Sequence, residues 1–337
     1  MESFVFSRTL AVLGTLATVA WAGQAYALEP GTADPHQPGV TSGLPLGALP
    51  PPGFYFSNNT NYVDGSLKDG NGNPTTIVRN NITAWVQIPA VLWSSPFHIL
   101  GAQWGVAAVQ PIVTVASTTN GATQNKTGLD NFLFNPAVLS WHLPGGFFVS
   151  TGIPIGFKTG DTGGGGNGTF TQQHLAANNW IFSPAAAVSW FNGHGLEVTL
   201  NGEYDIQTQN DNFDRHIPLT AIPANVKYQS GSVLNLDWTV QQVLPGAWKK
   251  WQIGVAGYYA VQTTDDEITI NGSTSTVPAN FVFLQNSTGN RLEKFGIGPI
   301  VGYNFGPVGI LAWYTRDVFA KNTALVDTFW FTIAIPL

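Results

Sequence analysis

The chain has 337 residues, enough for one large core or two domains, with 44% hydrophobic and 9% charged residues, a net charge of −6 and no Cys. The charged share is far below the roughly 25% usual for soluble domains, so the surface suits a bilayer better than cytosol. No basic block is present, which argues against nucleic acid as a partner. The missing Cys excludes disulfides and thiolate metal sites.

Residues 1–27 read as a signal peptide: Arg8, then the apolar run LAVLGTLATVAWAG, then Ala25-Tyr26-Ala27 at the cleavage positions. The mature chain is expected to be exported. Residues 28–53 are proline-rich and end in Leu49-Pro50-Pro51-Pro52-Gly53, an extended leader that either hangs as a periplasmic tail or folds back as a plug. Residues 54–337 hold no apolar run that reads as a membrane helix. The uncharged Phe295–Thr315 stretch is punctuated by Gly298-Pro299 and Gly306-Pro307.

From Phe54 onward the sequence predicts strands at 54–63, 81–93, 101–116, 130–142, 146–158, 180–191, 195–210, 227–244, 249–264, 292–304, 307–318 and 325–337. The connections sort by parity. Short turns (SSPFHIL, LPG, NGH, PGAW and FG) follow even-numbered strands. Long polar stretches at 64–80, 117–129, 159–179, 211–226 and 265–291 follow the first, third, fifth, seventh and ninth strands, and the eleventh connection is short again around Ala320–Ala324. That asymmetry is expected of an antiparallel transmembrane β-barrel, about 12 strands around, with short periplasmic turns and long extracellular loops. Residues 195–209 alternate cleanly: Leu196, Val198, Leu200 and Ile206 on one face, Glu197, Thr199, Asn201, Glu203, Asp205 and Gln207 on the other. In a barrel the oily face meets lipid and the wet side is the inside. Trp93, Trp141, Trp190 and Trp251 stand beside short turns, as a periplasmic aromatic girdle would. Pro111, Pro136, Pro154, Pro184 and Pro299 fall inside strands, where each removes a ladder donor, and are expected at bulges or kinks.

The candidate lumen-lining residues are Glu197, Asn201, Glu203, Asp205, Asn235, Asp237, Gln241, Gln252, Tyr258, Lys158 and Lys294. Glu203 and Asp237 fall at similar height and read either as a cation-selective constriction or as partners of Lys158 and Lys294. Ser140 and His142 share a strand face, the nearest approach to a hydrolase pair, but no third member is evident. The histidines show no metal spacing, and no metal or cofactor is expected.

The stretches LPPPGFYFSNNTNYVDG (49–65), ILGAQWGVAAVQPIV (99–113), NPAVLSWHLPGGFFVSTGIPIGFKTGD (135–161) and KFGIGPIVGYNFGP (294–307) resemble the transporter-like proteins of the meta-pathway of phenol degradation. The resemblance spans most of the mature chain. It implies an outer-membrane β-barrel associated with uptake of aromatic or other hydrophobic compounds, and it brings no catalytic residues. One departure is the end, Ile335-Pro336-Leu337, where such barrels commonly finish in Phe. The expectation is a monomeric channel in the outer membrane of a Gram-negative bacterium, surrounded by lipid, that passes small hydrophobic or aromatic solutes without catalysis. An outer-membrane hydrolase and an exported glycan-binding β-sandwich are the alternatives.

Overall fold

The computed structural model describes residues 36–75, 80–119, 122–162, 174–213, 226–277 and 289–337. The expected signal peptide lies outside them. The wall begins with β1 (Gly53–Leu67) and β2 (Asn80–Ile99), and ends with β17 (Glu293–Asn304), β18 (Gly309–Lys321) and β19 (Ala324–Pro336). β19 pairs antiparallel with β1 from Tyr55↔Pro336 to Leu67↔Ala324, and this closes the ring. Closure gives the backbone groups of both edge strands partners, as lipid requires. Between these ends run β11 (Leu196–Gln207), β13 (Val233–Val243) and β14 (Trp251–Gln262).

The other four spans are each broken in two: β3 (Ala102–Val109) with β4 (Ile112–Thr119), β5 (Ala122–Leu129) with β6 (Phe132–Leu143), β7 (Phe147–Gly152) with β8 (Ile155–Phe157), and β9 (Ile181–Phe182) with β10 (Ala185–Phe191). The barrel therefore has twelve spans. Three of the breaks contain the expected prolines, Pro111, Pro154 and Pro184. Each still accepts a hydrogen bond at its carbonyl, from Asp130 N (3.1 Å), Ser183 N (3.0 Å) and Tyr204 N (3.0 Å) respectively. Missing donors thus interrupt the ladder while the acceptors stitch it. Two connections differ from expectation. β2 continues to Ile99, so SSPFHIL is mostly strand, and the turn is Leu100-Gly101, both at positive φ as a tight hairpin needs. Residues 117–129 are not a free loop, because β4 and β5 pair from Ile112↔Leu129 to Thr119↔Ala122.

Leu200 (50%), Ile253 (47%), Phe329 (52%) and Ile333 (36%) are exposed, and Val198 is half-buried, whereas Glu203 (1%) and Asp237 (2%) are buried inside the ring. The outward wall is therefore oily. The inward wall is not uniformly polar, which corrects the expectation of a wet interior. On β2 the inward residues are Ile82, Ala84, Val86, Ile88, Ala90 and Leu92, all buried. Residues of this strand are apolar on both sides in places, so alternation alone could not reveal its inner face.

At the long-loop end, β12 (Val226–Gln229), β15 (Glu267–Ile270) and β16 (Ser273–Thr276) form a separate three-stranded sheet. Residues 227–229, expected to start a wall strand, belong to this sheet instead. Its hub is the buried Asp266 carboxylate, which accepts from Tyr228 Oη (2.5 Å), Gly231 N (2.6 Å), Gln262 Nε2 (2.8 Å) and Asn290 Nδ2 (2.9 Å). Burial pushes this carboxyl up to about 7, against the pull of those donors.

Candidate functional site

The interior is occupied by residues 36–49, every one of them buried. Three glycines, spaced by four, let this segment press on the wall. A Cβ on Gly39 would lie 2.5 Å from the Tyr258 ring, and one on Gly47 2.5 Å from Ser189 N. A Cβ on Gly43 would collide with Ile300. Gly39 and Gly43 also have φ of +93° and +84°, which few other residues adopt.

Hydrogen bonds hold the segment to several strands of the wall: on β1, Asn59 Nδ2 donates to Val40 O (3.4 Å) and Asn61 Nδ2 to Gln37 Oε1 (3.1 Å), while the bonds to residues 39–43 centre on β11 and β13. Asp237 on β13 accepts from Gly39 N (2.8 Å), Thr41 N (3.0 Å) and Thr41 Oγ1 (2.6 Å). Gly43 N donates to Thr239 Oγ1 (2.5 Å), and Gln241 Nε2 donates to Gly43 O (3.1 Å). Asn201 Nδ2 reaches Thr41 Oγ1 (3.2 Å). Nearer the short-turn end, Ser150 and Ser140 donate to Leu46 O and Gly47 O (2.7 Å each), while Ser189 Oγ accepts from Gly47 N. Ser140 also accepts from Leu49 N (3.2 Å), so its hydroxyl serves this segment, and His142 stacks on Phe148 at 4.4 Å.

Glu203 and Asp237 do not meet a lysine. His36 sits between them, 3.4 Å from one and 3.5 Å from the other. Lys294 instead pairs with buried Asp317 at 3.0 Å, and Tyr258 Oη donates to the same carboxylate. Lys158 follows the last residue of β8 and is exposed, because its strand has already ended; it is not on the inner wall. The other polar candidates are buried within the ring. Glu197 accepts from Gln241 (3.0 Å) and Thr199 (3.2 Å). Asp205 accepts from Ser183 and from Asn235 (2.8 Å). Gln252 and Tyr258 are buried on β14.

The opposite wall is apolar. Ile82, Val86, Ile88 and Leu92 of β2, Val109 of β3, Val113 and Val115 of β4 and Leu133 of β6 form one cluster with Val40, Leu44, Leu46 and Leu49 of the inner segment. This apolar wall was missed in the sequence, as were Ser140, Ser150, Ser189 and Thr239 as holders of the segment. The four-residue glycine spacing was the available signal.

Trp93, Trp141, Trp190 and Trp251 all stand at the short-turn rim, half-buried or exposed. They are joined there by Phe54, stacked on Trp93 at 6.2 Å, by Phe147 beside Trp190, and by Tyr303 against Trp251 at 4.8 Å. Higher on the outer face, Tyr62 meets Trp85 at 6.4 Å. The span between these aromatic levels is oily on β11, β14 and β19.

Residues 65–333 match the family described as "Putative MetA-pathway of phenol degradation". The chain belongs to that family. The match takes in the wall from β2 to β18 whole, the last three residues of β1 and β19 as far as Ile333. Among solved structures the barrel is similar to the COG4313 outer membrane channel from Pseudomonas putida F1, at 14% identity and TM-score 0.67, over 86% of this chain and 97% of that one. A Pseudomonas aeruginosa FadL homologue is a more distant likeness, at 13% identity and TM-score 0.43, over 95% of this chain and 97% of that one. None of the curated proteins matches by sequence. The fold is that of an outer-membrane channel of Gram-negative bacteria.

Proposed function

We propose that the chain is an outer-membrane channel for passive uptake of small hydrophobic or aromatic solutes, with residues 36–49 as its plug and no catalytic step, metal or cofactor. The observation that carries this reading is the apolar inner face of β2, in one cluster with Val113 and Val115 of β4, Leu133 of β6 and the plug's leucines. A pore for polar solutes has no use for such a wall. A hydrophobic solute entering between leucines and valines replaces the contacts it breaks, whereas a polar one leaves its own groups without partners. The acidic and amide residues of β11 and β13 serve as the plug's anchor. The fold agrees with transport, and the family description names degradation of phenol, an aromatic compound.

The test uses N-phenyl-1-naphthylamine, an apolar aromatic dye that fluoresces in hydrocarbon, added to intact Gram-negative cells with and without the chain. Faster fluorescence rise with the chain is expected. Equal rates would discard the uptake reading.

A further inference from the structure

The outward face of β1 and β2 carries side-chain amides, which the outward faces of β11, β14 and β19 lack. Between the lower aromatic pair, Phe54 with Trp93, and the upper pair, Tyr62 with Trp85, the residues facing lipid on β1 are Phe56, Asn58 and Thr60. On β2 they are Gln87, Pro89 and Val91. Asn58 lies midway between the two aromatic levels, and Thr60 is opposite Gln87 in the ladder. All three polar side chains are only half-buried. They are bonded to one another: Asn58 Nδ2 donates to Gln87 Oε1 (2.6 Å) and to Thr60 Oγ1 (3.2 Å), and Thr60 Oγ1 donates to Gln87 Oε1 (2.8 Å). Among the hydrogen bonds of the described residues, none reaches Gln87 Nε2 or Asn58 Oδ1. Turning either amide over changes which atom is open and not that one is. Two amide groups are thus directed at hydrocarbon at mid-depth, where an unmet polar group is costly.

We propose that this face is the contact between two copies of the chain in the membrane. Both copies insert in the same direction, so a twofold axis along the membrane normal brings equal depths together. One open donor and one open acceptor at neighbouring depths, on amides already bonded to each other, are self-complementary under that operation. Gln87 Nε2 of each copy then meets Asn58 Oδ1 of the other. The surrounding rim is apolar and protrudes: Phe54, Trp85, Val91, Phe331 and Ile333 are each at least 36% exposed. Amide pairs of this kind join transmembrane segments elsewhere. The monomer expected from the sequence is set aside here, because which residues of β1 and β2 face lipid was not visible before the register was known.

The absence of native Cys makes the test direct. A Phe56→Cys variant, one turn of the pleat from Asn58, is oxidised in native outer membranes with copper phenanthroline. A disulfide-linked pair on a non-reducing gel is expected. An Ile253→Cys variant, on a distant part of the wall, should give little. Adding Asn58→Leu and Gln87→Leu to the Phe56→Cys chain should cut cross-linking by about tenfold or more, the equivalent of the two amide contacts that the twofold makes. Heat-modifiable gel migration should persist in that chain, which separates lost contact from lost folding. Cross-linking of Phe56→Cys no faster than that of Ile253→Cys would overturn the proposal. So would cross-linking indifferent to the leucine pair. Dye uptake is not needed for either outcome, so failure of the uptake reading and failure of this one are distinct.

Discussion

The wall built by β11 and β13 grips residues 39–43 through Asp237, Thr239, Gln241 and Asn201, whereas the inner face of β2 is aliphatic from Ile82 to Leu92 and shares one cluster with Val40, Leu44, Leu46 and Leu49. Hydrogen bonds to a buried carboxylate are directional and leave costly vacancies when broken. Dispersion contacts are not directional, and an apolar third body can stand in for either surface. One lumen therefore has a side that fixes the plug and a side along which it can be parted. The inside-out arrangement of the barrel supplies only the first of these. The second comes from strands that are apolar on both faces.

The contrast can be broken most forcefully on the polar side. Asp237→Ala removes the acceptor of three bonds and leaves Gly39 N, Thr41 N and His36 facing an empty site. A loss of about 3–5 kcal/mol in holding the segment is expected, as for other broken buried charges. Planar-bilayer recordings should show a several-fold rise in ion conductance, and an unchanged conductance would show that the anchor lies elsewhere. On the lipid face, Leu200→Arg places a charge near mid-depth beside Asn201, whose own side chain is inside. Urea titration in phospholipid vesicles should show a loss of about 2–4 kcal/mol; a neutral result would mean that residue 200 does not face hydrocarbon. The apolar side is probed by Ile88→Val, which removes one methylene from the cluster and should cost about 0.5–1.5 kcal/mol in the same titration. A cost near zero would point to a loosely packed wall.

The smallest effect on the barrel comes from Asp266, at the long-loop end just beyond β14. Its folded value of about 7 stands above the ordinary 3.8, so the neutral form favours the folded loops. That contribution is complete below the ordinary value and is lost as pH rises through 7. Cleavage between residues 226 and 277, corrected for protease activity, should be faster at pH 8 than at pH 5, with heat-modifiable migration of the barrel unchanged. Equal rates at the two pH values would mean that the carboxyl does not titrate in this window.

The strand pattern was legible where one face is oily and the other is not. Residues 195–209 and 249–264 show this alternation, and loop parity then supplied the direction of insertion. It was illegible on β2, where Ile82, Val86 and Ile88 point inward while Trp85 and Val91 point outward. Period-two reasoning needs a contrast that such a strand lacks. The loop expected at 117–129 was polar because β4 and β5 extend as a hairpin past the oily zone, where polarity no longer separates strand from loop. Pro111, Pro154 and Pro184 announced breaks, since a missing N–H is a local property, whereas Pro136 and Pro299 lie inside the continuous strands β6 and β17. The placement of 36–49 was beyond reach because its partners lie up to 198 residues away, and only the recurrence of Gly39, Gly43 and Gly47 hinted that a backbone must pass close to something.

The pairing of β19 with β1 has a consequence for biogenesis. The last strand made must find the first, across nearly the whole length of the polypeptide, and such distant closure is slow. The plug is joined to β1 through Pro50–Pro52, so it is either gathered in before the final hydrogen bonds zip shut or threaded in afterwards from the mouth. Once closed, the cylinder has no seam through which a tethered strap could be fed, and any later passage of the strap is confined to the mouth where those prolines enter.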